Sequence, residues 1–287
     1  MINKLVLIGV GLIGGSLVRG LRAAQQVREV VGVGRDEANL ELARGLGVID
    51  RYETDPGAAV ADADLVVLAV PLGAMKSVMQ AIAPQLADRT IVTDVGSAKG
   101  SVLADARLAL GGQLKNFVPG HPIAGTEKSG VEASFAELFQ QRRVILTPHD
   151  TTSAQALNVV REMWLACGAE VIEMSVAHHD EVLAATSHLP HMLAYALVDT
   201  LARMEDRQDI FDYAAGGFRD FTRIASSDPQ MWHDIAMANR TALVEVMQRF
   251  RADLERLIDA IDRGDGAFVK TTFERAKQAR DAFCQGK

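Results

Sequence analysis

The sequence predicts an α/β domain with a doubly wound, mostly parallel sheet, followed by an all-α domain. Three observations carry this. Short apolar runs rich in β-branched residues recur through the first 174 residues, segments of helical length separate them, and beyond Met174 the strand signal stops. A length of 287 residues suits two domains.

Taken in order, strands are expected over residues 4–8, 30–33, 65–70, 90–93, 117–119, 144–147 and 170–173. The run 65–70 is apolar throughout instead of alternating, which suits a strand covered by helices on both faces. Residues 75–86 and 153–166 have helical length and period. Residues 176–204 read as a long helix interrupted near Pro190, whose ring clashes with the carbonyl of Thr186. Residues 231–263 read as another, with Ile235, Ala238, Ala242, Val246, Arg249 and Asp253 at helical steps and apolar neighbours widening the face. A shorter amphipathic helix is expected over 267–283. The domain boundary falls near Ser175, giving domains 1–174 and 175–287, with no Pro/Gly linker and no internal repeat.

Composition narrows the function classes. With 30 Lys and Arg against 37 Asp and Glu, the net charge is −7 and no basic block occurs, which argues against nucleic acid or anionic membrane as partners. Cys167 and Cys284 are the two cysteines and have no metal-binding spacing. The apolar run 5–18 contains four glycines and continues into Arg19 and Arg22 with no small-residue cleavage site, unlike a signal peptide. No run approaches the ~20 apolar residues of a membrane span, so a cytoplasmic protein is expected.

Gly9-Val10-Gly11-Leu12-Ile13-Gly14 joins the first expected strand to an apolar helix. In that context the first glycine allows a tight turn, the second lets backbone approach a pyrophosphate, and the third packs helix on strand. The helix amides then face the anion. This is the pattern of a Rossmann-type dinucleotide-binding domain, with Gly9, Gly11, Leu12, Ile13 and Gly14 at the cofactor. Val70, Pro71 and Asp94 are placed there too. At the end of the second strand, Gly34 stands where an acid usually binds the ribose 2′-hydroxyl, and Arg35 follows. A guanidinium there suits a 2′-phosphate, so NADP is favoured over NAD. The alternative is that Asp36, one position late, binds the ribose.

Longer motifs go beyond a generic dinucleotide-binding fold. Asp94-Val95-Gly96-Ser97-Ala98-Lys99 follows one strand, and Gly120-His121-Pro122-Ile123-Ala124-Gly125-Thr126-Glu127 follows the next. His179-Asp180 and Ser187-His188-Leu189-Pro190-His191 come in the helical part, before Gly216-Gly217-Phe218-Arg219-Asp220-Phe221-Thr222-Arg223 and Met231-Trp232. Together they resemble the prephenate/arogenate (cyclohexadienyl) dehydrogenase family from the glycine loop to Trp232. The resemblance implies an N-terminal dinucleotide-binding domain and a helical domain that dimerises. The implied reaction is NAD(P)-dependent oxidative decarboxylation of prephenate or arogenate, giving 4-hydroxyphenylpyruvate or tyrosine.

It also implies roles for residues. His121 is the candidate group on the ring hydroxyl, and an imidazole suits proton acceptance near neutral pH. Ser97 maps onto the serine that hydrogen-bonds this histidine and the substrate, although it also suits the N-cap of a helix beginning near Lys99. Arg223 maps onto the arginine that pairs with a substrate carboxylate, and Asp220 onto a residue orienting the loop or guanidinium. His191, Ser187 and His179 are expected in the substrate pocket, with His188 beside them. Thr126, Glu127 and Trp232 are expected at its gate or wall. Four histidines between 178 and 191 invite a metal, but no Glu-bearing HExxH pattern occurs and the resemblance implies a metal-free enzyme.

Two rivals remain at this level. A dehydrogenase of the 3-hydroxyacid type needs a lysine in the helical domain, and none lies between Lys128 and Lys270. A silent cofactor-sensing dimer gives no reason for Ser97, His121 and Arg223 to occur in these motifs.

Overall fold

A computed structural model of the chain describes residues 1–126, 128–205 and 207–285. They divide into two compact units, Met1–Arg240 and Thr241–Lys287.

In the first unit, β1 (Ile2–Ile8), β2 (Val27–Val33), β3 (Arg51–Glu53), β4 (Leu65–Leu68), β5 (Ile91–Asp94) and β6 (Phe117–Val118) form one sheet. Its order is β3-β2-β1-β4-β5-β6, with every neighbouring pair parallel. Helices α1 (Leu12–Ala23), α2 (Glu37–Gly45), α3 (Pro56–Val60), α4 (Met75–Ile82) and α5 (Lys99–Ala109) connect the strands. The order turns back between β1 and β4, and in open sheets ligands bind beyond the strand ends at such a point.

Successive residues of a strand enter opposite cores. Leu5 and Leu7 join one buried cluster with Val30, Leu65 and Val67, while Val6 and Ile8 join another with Val31, Val66 and Leu68. Burial on both faces is why these strands are apolar throughout. Each large side chain so buried contributes roughly 1.5–3 kcal/mol.

A second, three-stranded sheet holds β7 (Gly120–Pro122), β8 (Arg143–Leu146) and β9 (Glu170–Glu173), with β7 antiparallel and β9 parallel to β8. Between β8 and β9 runs α6 (Ala154–Ala166), whose Trp164 packs edge-on against Phe139 at 5.0 Å. Just beyond it, burial pushes the Cys167 thiol up to about 12 and keeps it protonated. The expected strands are all present, with ends displaced by up to three residues. β3 and β7 are additions; three-residue strands with distant partners leave no period to detect. His121 therefore lies on a strand, opposite Ile145, not in a loop.

The helical part begins with α7 (Val176–Leu183), a π-helical turn (Ala184–His188) and α8 (Leu189–Ala202). Pro190 sits in the first turn of α8, and the π turn lies where its ring was expected to displace the carbonyl of Thr186. Then come α9 (Arg207–Asp212), α10 (Gly216–Thr222), a 3-10 turn (Arg223–Ser226) and α11 (Pro229–Ala238).

The single helix expected over 231–263 is two helices, α11 and α12 (Arg240–Asp262), parted at Asn239 with φ −104° and ψ 31°. Its amide donates to the Asp180 carbonyl at 2.8 Å and bonds His188 Nδ1 at 3.1 Å. Those tertiary bonds account for the break and divide the expected apolar stripe.

The second unit consists of most of α12 with α13 (Gly266–Gln285). Leu243 and Ala260 are buried, whereas Met247, Phe250, Leu254, Ile258 and Ile261 are exposed along α12. Phe268, Phe273 and Phe283 are exposed on α13. Among the described residues no helix is long and apolar enough to cross a membrane.

Candidate active site

The glycine loop has the geometry a dinucleotide requires. Gly9 has φ +96°, and a Cβ there would stand 2.3 Å from the Ala69 carbonyl oxygen, so the backbone just beyond β4 leaves room for nothing larger. A Cβ at Gly14 would meet Leu7 at 2.7 Å, which lets α1 lie close on β1. At Gly11 a Cβ would meet nothing within 4 Å, so the space beside the start of α1 is open. Gly11 is also the N-cap of α1 and provides no side-chain cap for the amides that begin the helix. A pyrophosphate fits this open, amide-lined helix terminus.

Beyond β2, Asp36 Oδ1 accepts from the amides of Ala38 at 3.0 Å and Asn39 at 3.2 Å and so caps α2. Arg35 is exposed. Its guanidinium has no partner among the described residues.

Between β5 and β7 lies a buried ion pair. Lys99 Nζ donates to Asp94 Oδ2 and, at 2.7 Å, to the Gly120 carbonyl. Asp94 also accepts from Gly96 N at 2.7 Å and Gly120 N at 3.2 Å. Burial holds Lys99 below the usual ammonium range, opposed by Asp94 and Asp180. Asp94, expected to touch the cofactor, is fully buried with its carboxylate engaged by these three groups. Its carboxylate instead ties the start of α5 to the backbone beside His121. The sequence signal for this ion pair is an Asp and a Lys five residues apart across a strand end.

His121 is 8% exposed, and its Nδ1 lies 2.9 Å from His179 Nε2. The other ring nitrogen of His179, Nδ1, lies 2.8 Å from Asp180 Oδ1. Asp180 in turn accepts from the first amides of α5, Lys99 N and Gly100 N, each at 2.8 Å. Ser97 therefore does not cap α5; the N-cap position is Ala98 without a side-chain bond, and Asp180 supplies the acceptor from α7. Burial, then His179, Lys99 and His188, hold His121 well below the ordinary imidazole range. Burial pushes Asp180 up, but its bonds to His179 and the two amides outweigh this and hold it low.

The helical wall carries the remaining histidines. His188, 1% exposed, is pushed down to about 4, mainly by burial. Its Nε2 and Trp232 Nε1 are buried without hydrogen-bond partners among the described residues. His191 stacks on Trp232, ring centroids 3.5 Å apart and planes 20° apart, and its Nδ1 donates to the Ser187 carbonyl at 2.9 Å. His191 is lowered chiefly by burial, with the Arg223 charge adding to it, which sets that guanidinium near the ring. His188 meets the same Trp232 edge-on, ring centroids 6.1 Å apart, and feels the charges of His179 and His191, so the histidines run from His121 towards His191.

Of the expected residues, His121, His179, His191, Trp232 and Arg223 are brought together in this cluster, with Ser187 in the π turn beneath His191. His179 lies behind His121, fully buried and bonded through both ring nitrogens, so it has no face for a substrate. Ser97 is half-buried in the β5–α5 turn. Thr126 and Asp220 are exposed, and Glu127 lies outside the described residues. Asn239, which carries the Asp180 carbonyl and His188 together, had no signal in the sequence.

This arrangement matches known proteins along nearly its whole length. Residues 17–173 match the family described as prephenate dehydrogenase, nucleotide-binding domain, and residues 175–274 that described as prephenate dehydrogenase, dimerization domain. The chain is 42% identical to a cyclohexadienyl dehydrogenase of Zymomonas mobilis, covering 97% of this chain and 95% of that one. A crystal structure of Aquifex aeolicus prephenate dehydrogenase in complex with hydroxyphenyl propionate and NAD+ superposes with a TM-score of 0.92 and 36% identity over 99% of both chains. A Synechocystis arogenate dehydrogenase structure gives a TM-score of 0.83 and 28% identity, covering 98% of this chain and 99% of that one. With both of its parts matched and a curated relative above 40% identity, the chain belongs to the prephenate dehydrogenase family.

Proposed function

We propose that the chain catalyses oxidative decarboxylation of a cyclohexadienyl substrate, prephenate or arogenate, with NADP preferred over NAD. The product is then 4-hydroxyphenylpyruvate or tyrosine. The observation that carries this is the buried, neutral His121 in one cluster with His191 and Arg223, in the unit that bears the glycine loop.

Gly9, Gly11 and Gly14, with the first amides of α1, hold the pyrophosphate, and Val70 and Pro71 line the approach. When bound, the nicotinamide supplies the hydride acceptor. His121 accepts the ring hydroxyl proton as the carbinol carbon loses its hydride. The electron pair of the breaking C–CO₂ bond enters the ring, which becomes aromatic. No proton is released overall, so His121 returns the proton to the phenol oxygen. Ser97 orients the hydroxyl, and Arg223 pairs with a substrate carboxylate while Asp220 orients the guanidinium. His191, held by Ser187 and Trp232, flanks the ring; Thr126 is assigned to the entrance, as is Glu127 from its motif alone.

The cofactor preference rests on Gly34 and on Asp36 being committed to its helix cap, which leaves Arg35 as the charged group free to meet a 2′-phosphate. The domain division at Ser175 and a homodimer built through the C-terminal helices complete the reading. Two substrates assayed against two cofactors, as kcat/KM with CO₂ and reduced cofactor both measured, test it. Reduction without stoichiometric CO₂ rejects the reaction; equal use of NAD and NADP rejects the preference.

A further inference from the structure

His179 and Asp180 form a buried hydrogen-bonded chain that ends on His121, and its direction follows from the donors available. Asp180 accepts two backbone amides and one ring nitrogen. An ionised carboxylate has no proton to give, so His179 Nδ1 must be the donor. A neutral His179 then has a bare Nε2, 2.9 Å from His121 Nδ1, which can only accept. His121 consequently carries its proton on Nδ1, and its lone pair lies on Nε2.

We propose that Asp180 and His179 are positioning residues that fix His121 as the Nδ1–H tautomer, present its Nε2 to the substrate hydroxyl, and share the charge when that proton arrives. The proposal rests on the reading of His121 as the base.

The electrostatics say why such a chain is needed. The groups acting on His121 are Lys99 from α5, His179 from α7 and His188 from the π turn, with Asp94 beyond Lys99. All three named first oppose a positive charge on His121, as does burial. Asp180 is the nearby carboxylate not already ion-paired with Lys99, and it reaches His121 through His179. When the substrate O–H bond breaks and an N–H bond forms at Nε2, the imidazolium keeps its Nδ1–H bond to His179. The His179 Nδ1–H bond to Asp180 shortens the distance over which the charge is compensated. Because the proton is returned at aromatisation, the chain needs no exit to solvent, and none of its members is more than about one-seventh exposed.

Ring-nitrogen NMR of histidine-labelled protein without substrate reads the tautomer directly, with His121→Asn used to assign the signals. The expected result is protonated Nδ1 and bare Nε2 on His121. A wild-type His121 protonated on Nε2 overturns the proposal whether or not any variant folds. Next, His179→Leu removes the acceptor, and a loss of kcat on the order of 10²-fold with little change in KM is expected. His179→Gln presents an amide oxygen to the same Nδ1–H and is expected to restore the tautomer and part of the turnover. Asp180→Asn is expected to move the acidic limb of kcat to lower pH, since a compensating charge is gone. Normal kcat and an unmoved limb in all three variants overturn the proposal. Failure of the base assignment looks different: His121→Asn then keeps its turnover, whatever the wild-type tautomer.

Discussion

His121 Nδ1 stands 2.9 Å from His179 Nε2, in a site where neither ring is more than 8% exposed. Such burial penalises the imidazolium and leaves the neutral base present to lower pH than an imidazole in water. The acidic limb of kcat/KM is therefore expected below the ordinary value of about 6.5. Activity should persist as pH falls through 6.5 and be lost beneath it. His121→Asn is expected to lower kcat by about 10²–10⁴-fold and to abolish the limb. If Arg223 anchors a substrate carboxylate in the ground state, as proposed, Arg223→Ala is expected instead to raise KM by roughly 10–100-fold. A limb at or above 6.5 in the wild type contradicts the burial argument.

Arg35→Ala separates the two cofactors. Asp36 is tied to the amides of Ala38 and Asn39, so on the proposed reading the guanidinium is the charge at the end of β2 that selects between the cofactors. The substitution is expected to weaken NADP by about 1.5–3 kcal/mol, a lost charge-assisted hydrogen-bonding partner, and NAD much less. Titration of both cofactors measures it, and equal losses show that Arg35 does not read the phosphate.

The exposed apolar residues of α12 predict a dimer. Met247, Phe250, Leu254, Ile258 and Ile261 recur at intervals of three or four, so they share one helical face. A second copy would cover that stripe. Sedimentation is expected to show a dimer at micromolar concentration, shifted towards monomer by Leu254→Asp. A wild-type monomer counts against it.

What the sequence could reveal was set by how local each signal is. The glycine loop was legible because turn, amides and helix start all lie within Gly9–Gly14, and the two-faced strands because burial on both sides makes them apolar throughout. Long motifs singled out His121 and Arg223, whose roles are proposed. Asp180 capping a helix 80 residues earlier, and Asn239 joining α11 to the π turn, were not, because pairings between distant segments leave no period. Asp94 is a local case: a strand-end acid beside a glycine loop suggests a cofactor ligand, and the fold shows Lys99, five residues on, engaging its carboxylate.

Burial of neutral histidines also predicts loss of stability in acid. The folded-state value of His188 is about 4, against about 6.5 when unfolded. Between those values the unfolded state binds the proton first, so stability present above 6.5 is lost as pH falls. His188 alone accounts for on the order of 3 kcal/mol, and His121 and His179 shift in the same direction. Chemical denaturation at pH 7 and 4.5 measures the loss. His188→Gln is expected to be less stable at pH 7 but to lose less on acidification; an unchanged pH dependence rules out this histidine as a source.

Two substitutions in the glycine loop separate folding from binding. Gly9→Ala must resolve a 2.3 Å approach to the Ala69 carbonyl while holding φ at +96°, a region disfavoured for alanine. Backbone strain of this kind costs on the order of 1–3 kcal/mol, and the close contact adds to it. Its Tm is therefore expected to fall with or without cofactor. Gly11→Ala meets nothing within 4 Å and keeps an extended φ of −123°, so the unliganded protein is expected to keep its Tm within about a degree or two. Its methyl group would occupy space into which the pyrophosphate brings its oxygens, and cofactor affinity is expected to fall roughly tenfold or more. Thermal denaturation in the absence and presence of NADP measures both effects at once. Full cofactor-induced stabilisation of Gly11→Ala would show that the open space above this glycine is not where the phosphates lie.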